Sequence, residues 1–136
     1  MLKIKIMPIQ DLLHLHALKD NEDILIIFVT TKPNYYDFGS TKFIQMNIAD
    51  TEAPIIKRED ACSLQRTIWA MQQCYRQYLY YVYNTVYVCC DAGLSRSPAV
   101  AHFLACKLNQ FEQAEEIEKK YKFLNQALYK KLMGAM

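Results

Sequence analysis

Glycine and proline are scarce: three and four of 136 residues, respectively. Little of the chain can therefore be linker, whether flexible or stiff. It also lacks internal repeats and low-complexity tracts, which removes solenoid and array architectures. No apolar run approaches the ~20 residues that a membrane-spanning helix needs. The opening "MLKIKIMPIQ" breaks its apolar residues with lysines and a proline, so no secretory leader is expected there. Charge of either sign is not in excess. A formal net charge of +2 supplies no basic footprint for nucleic acid and no strong pull toward anionic lipid, so neither nucleic acid nor membrane is expected as a partner. The five cysteines (Cys62, Cys74, Cys89, Cys90 and Cys106) are odd in number and form no C-x-x-C pair. A disulfide framework and a zinc site are both poorly supported, and a reducing cytoplasm is the expected setting.

What is present is apolar residue in quantity, 52% of the chain, ample for one core. A length of 136 residues suits one domain spanning 1–136. "LKIKI" alternates as a half-buried edge strand does, and residues 9–18 read as a short helix after Pro8. "DILIIFVT" (23–30) is a β-branched run of the kind buried on both faces of a sheet. "PNYYDFGS" reads as a loop and "KFIQMNI" (42–48) as the next strand. Ala61, Leu64, Ile68, Met71, Tyr75 and Tyr78 recur at gaps of three and four, one apolar face of a long helix. The tyrosines of "YRQYLYYVY" (75–83) are read as that face and its last turn.

"TVYVC" (85–89) is a further strand, and a helix follows from Ser97 to about Leu108 with Pro98 in its first turn. "FEQAEEIEKKYKF" carries acids early and bases late, with Glu115–Lys119 and Glu116–Lys120 spaced as i,i+4 pairs. Asn125 can cap a last helix that Gly134 ends. Strands separated by helices imply α/β layers with a small central sheet flanked by helices.

The stretch "VYVCCDAGLSRSPAVAHFLA" (86–105) holds the chemistry. A loop between a strand's carboxyl end and a helix N-terminus turns backbone N–H groups inward and cradles anions. Gly93 supplies the backbone freedom for a tight curl. Arg96 can grip two oxygens of a tetrahedral anion. Six positions forward from Cys90 is Arg96, whereas six forward from Cys89 reaches Ser95. Cys90 through Arg96, "CDAGLSR", followed by Ser97, is thus C-x-x-G-x-x-R-S, and here the sequence resembles small cysteine-dependent protein tyrosine and dual-specificity phosphatases. The match is strongest over 86–105 and weaker across 41–133.

The resemblance implies a dual-specificity-phosphatase-like fold and hydrolysis of phosphotyrosine, with phosphoserine and phosphothreonine as further substrates, in a phosphorylated protein partner. It implies Cys90 as nucleophile through a phosphocysteine intermediate, and Arg96 with the loop Asp91, Ala92, Gly93, Leu94 and Ser95 as the phosphate cradle. Ser97 would ease departure of the thiolate, and neither metal nor cofactor is implied. The family's acid is an Asp on a loop after a strand, and Asp50 in "MNIADTEAP" stands 40 residues before Cys90. Glu52, Glu59 and Asp60 are the alternatives, the last two better suited to a helix's first turn. The loop interior has an acid and no base, which argues against polyphosphorylated lipid and RNA 5′-triphosphate.

Where the family has His before the nucleophile, this chain has Cys89, expected to point away from the pocket into the core. That departure motivates a competing reading, a phosphate-binding protein without turnover; a further alternative keeps the chemistry and changes the substrate to a phosphoinositide or RNA 5′-phosphate. It also raises a vicinal 89–90 linkage under oxidation. His14 and His16, two apart, would not share a metal, and His102 is expected to be a packed or surface residue.

Overall fold

The computed structural model describes residues 2–32 and 36–135. Four strands form one wholly parallel sheet: β1 (Lys3–Pro8), β2 (Ile24–Thr30), β3 (Lys42–Asn47) and β4 (Thr85–Cys90), in the order β1-β4-β2-β3. Five helices accompany them: α1 (Ile9–Leu13), α2 (Arg58–Tyr78), α3 (Arg96–Lys107), α4 (Phe111–Lys120) and α5 (Gln126–Ala135). Parallel pairing demands crossovers, and helical crossovers cover the sheet's faces.

The central strands show why. Every residue of β2 is buried, as its β-branched run anticipates. The two-residue strand period then sorts side chains into two cores. Leu25, Ile27 and Val29 join Ile44, Met46, Val86, Val88 and Cys90 beneath α2, α3, α4 and α5. Ile24, Ile26 and Phe28 join Cys89, Leu12, Leu18 and Phe38 on the other face. Adjacent cysteines therefore belong to different cores.

Several boundaries differ from the sequence reading. The first helix stops at Leu13, and the chain leaves it through a left-handed residue, Ala17 at φ 64°. The loop expected over 33–40 falls partly on 33–35, outside the described residues. On α2, Leu64, Ile68 and Met71 are buried, but Tyr75 and Tyr78 are 45% and 56% exposed. Helix α2 outruns the sheet it packs on, so its tyrosine end stacks ring on ring instead, Tyr75 against Tyr81 at 4.7 Å and Tyr78 against Tyr80 at 5.8 Å. Gly134 does not end α5, which continues to Ala135. Of the two i,i+4 pairs, Glu115–Lys119 closes at 3.1 Å. No helix among the described residues is long and apolar enough to cross a membrane.

Between α3 and α5, His102 is buried and stacks on Tyr129 at 4.3 Å, with its Nδ1 unpartnered. Burial lowers its pKa from the ordinary imidazole value, against the opposing pull of Glu118. The unfolded chain thus takes up this proton first as pH falls, and stability rises with pH wherever the unfolded state holds more protons. Stability present above pH ~6.5 is accordingly lost on acidification below it. We expect His102→Phe, which keeps a ring against Tyr129, to narrow the gap between urea midpoints at pH 7.5 and pH 5. An unchanged gap would assign the acid sensitivity elsewhere.

Candidate active site

Strand β4 ends at Cys90, and the chain re-enters helix at Arg96, so five residues make the turn. Gly93 sits at φ 71°, and a Cβ there would fall 2.6 Å from Pro8 N and 2.9 Å from Met7 C. Only glycine allows the loop to curl this close to the end of β1. The curl brings Gly93 N–H to 3.1 Å from Cys90 Sγ, and the amide of Ser97, in the first turn of α3, to 3.4 Å. Ser97 Oγ lies 3.1 Å from Sγ, where it can accept from a thiol or donate to a thiolate. Three groups thus converge on one sulfur at a helix N-terminus.

Cys89 has the opposite environment. It is wholly buried under the far face, its Sγ 3.5 Å from the carbonyl of Ile27. Burial first, and the neighbouring Cys90 second, push its thiol up to about 12. It stays protonated and inert. The two side chains diverge to opposite faces, and a vicinal disulfide would require the end of β4 to unpair from both neighbours.

Arg96 is buried, with Nη1 donating to Ile48 O at 3.0 Å and Nη2 donating to Asp91 Oδ2 at 2.8 Å. A cation in a helix's first turn is ordinarily disfavoured. Here the Asp91 carboxylate offsets that cost.

Asp50 follows β3 and reaches the loop from the side. Its Oδ1 accepts from Ser95 Oγ at 2.8 Å and from Asn125 Nδ2 at 2.9 Å. The structure so places Cys90, Arg96 and Ser97 on one turn of chain and joins Asp50 to that turn through Ser95. Glu52 is exposed on the same loop, whereas Glu59 and Asp60 occupy the first turn of α2, where Asp60 Oδ2 accepts from Asn47 N–H at 3.1 Å. Leu94 projects to solvent at 56% exposure. His14 and His16 are exposed, and no cluster of three or more metal-ligating side chains exists among the described residues.

Two residues of the site escaped the sequence reading. Asn125 does cap α5, its Oδ1 accepting from Leu128 N–H at 3.0 Å. It also ties Asp50 and the Thr51 carbonyl to that helix, and its own amide donates to Ser95 O at 3.1 Å. Thr30, at the end of β2, donates to Asp91. No spacing rule links either residue to the loop. A cavity of about 590 Å³ lined by Tyr75, Tyr80, Tyr83 and Asn84 opens at the other end of β4 and includes no loop residue.

No protein-family model matches this sequence, and no curated protein matches it either. Solved structures do share the fold. One is a human tyrosine phosphatase-like serine/threonine/tyrosine-interacting protein, 16% identical over 82% of this chain and 76% of that one, with a TM-score of 0.50. Another is a mouse protein assigned as a dual specificity phosphatase and complexed with zinc tungstate, 16% identical over 84% of this chain and 70% of that one, with a TM-score of 0.50. The chain therefore has a dual-specificity-phosphatase-like α/β fold.

The tightness of the curl is testable. Gly93→Ala is expected to lower the thermal midpoint by several degrees, whereas Gly134→Ala, where an added Cβ meets nothing within 4 Å, is not. An unchanged midpoint for Gly93→Ala would show that the loop can move off β1 without cost.

Proposed function

We propose that this protein is a cysteine-dependent phosphatase acting on phosphotyrosine, with phosphoserine and phosphothreonine as further substrates, in a phosphorylated protein. The convergence of Gly93 N–H, Ser97 N–H and Ser97 Oγ on Cys90 Sγ carries this reading. Cys90 thiolate attacks phosphorus in line, the S–P bond forms, and the bond from phosphorus to the side-chain oxygen breaks. Asp50 gives its proton to that departing oxygen. Both of its hydrogen bonds fall on Oδ1, which leaves Oδ2 to carry the proton.

A water molecule then yields a proton to Asp50 and attacks phosphorus. The S–P bond breaks, and Ser97 Oγ–H donates to the returning thiolate. Arg96 and the backbone amides of the loop hold the equatorial oxygens throughout. No step asks for a metal or a cofactor.

The single acid and absence of bases between Cys90 and Arg96 favour a lone phosphate group over a polyphosphorylated one. Five free cysteines, among them the nucleophile, suit a reducing cytoplasm. A second reading, phosphate recognition without turnover, draws on Cys89 at the position where the family has histidine.

Hydrolysis of p-nitrophenyl phosphate in the presence of EDTA separates the two. Wild type and Cys89→Ala should turn over, Cys90→Ser should not, and Asp50→Asn should lose ~10²–10⁴ in rate. A wild type that is inert yet binds tungstate would leave the recognition reading standing.

A further inference from the structure

The mechanism leaves the side chain of Asp91 unused, although it lies inside the loop and is three-quarters buried. Its Oδ2 accepts from Arg96 Nη2 at 2.8 Å, and the two carboxylate oxygens lie 3.2 Å and 3.3 Å from Thr30 Oγ1. Thr30 is itself fixed. It is 1% exposed, and its hydroxyl oxygen accepts from the amide of Lys32 at 3.1 Å. Across the guanidinium, Nη1 donates to the carbonyl of Ile48, the residue that follows β3. Both terminal nitrogens of Arg96 are thus fastened to backbone and side chains at the carboxyl ends of β2, β3 and β4.

Nε is the exception, buried and without a partner. A buried N–H lacking an acceptor is costly, and such a group marks a place where something else completes the bond. Nη2 carries two hydrogens, of which Asp91 takes one. The Nε–H and the second Nη2–H form one edge of a planar fork, matched to two oxygens of a tetrahedral anion.

We propose that Asp91, backed by Thr30, is a positioning residue that holds Arg96 with its Nε/Nη2 edge turned to the oxyanion. The proposal rests on the phosphatase reading and assigns a part to a loop residue that this reading leaves idle. The carboxylate braces the arginine and does not stand in for the substrate anion, because Nε is unpartnered.

The test compares wild type, Asp91→Asn, Thr30→Val, Thr30→Ser, Arg96→Lys and the double variant D91N/R96K. Tungstate affinity is read by calorimetry, kcat and KM on p-nitrophenyl phosphate, and folding by thermal melt. Asp91→Asn should weaken tungstate binding and lower kcat/KM roughly tenfold, within the range for directly coupled pairs. Thr30→Val should move both in the same direction by less, and Thr30→Ser, which keeps the hydroxyl, should restore wild-type values. In the Arg96→Lys background, Asp91→Asn should cost nothing further, since its effect runs through the guanidinium.

Unchanged or tighter tungstate binding by Asp91→Asn would overturn the proposal and leave the phosphatase reading intact. So would losses that multiply in the double variant. Should Asp91→Asn fail to fold, the Thr30→Val and Thr30→Ser pair decides, equal values for the two counting against the brace. A wild type that neither binds tungstate nor turns over would overturn both readings together.

Discussion

Gly93 against the end of β1 is the contact on which the site depends. A backbone curl at positive φ, with no side chain to hold it off Met7 and Pro8, aims the amide of Gly93 at Cys90. The same curl delivers the chain to α3 with Ser97 facing the sulfur. The parallel pairing of β1 with β4 makes that wall available, since Pro8 and Cys90 are register partners. Edge strand, loop and helix are therefore one device, although 85 residues of sequence separate Pro8 from Gly93.

The sheet's period does the second part. One residue of β4 faces the helices and its neighbour faces α1, so the chain carries two adjacent thiols of opposite character. Desolvation keeps Cys89 protonated, whereas Cys90 meets amides and a hydroxyl. Electrostatic surroundings, and not the thiol group as such, distinguish them.

Much of this was legible in the sequence, for reasons that differ by residue. The β2 run and the alternation of β1 are local patterns whose physics is strand burial, and the structure places them in the centre and at the edge of the sheet. The loop motif is local too, because a cradle needs its glycine, arginine and cysteine within one turn. Asp50 was legible only through its place after a strand. Thr30 was not legible at all, and Asn125 was legible as the cap of α5 but not as a partner of Asp50. Each acts through contacts 61 and 75 residues distant in sequence, where one threonine or asparagine resembles any other. The outer tyrosines of α2 misled in the reverse direction, since helical periodicity reports a face and not how far the sheet beneath it extends.

The Asn125 clip has a consequence for local opening. Asp50 is fastened to a residue that opens α5, and Ser95 to the backbone of the same residue. Helix ends open more readily than whole domains, so fraying here releases the Asp50 loop and the Cys90 loop together. The first turn of α5 thus ties the order of two loops to its own.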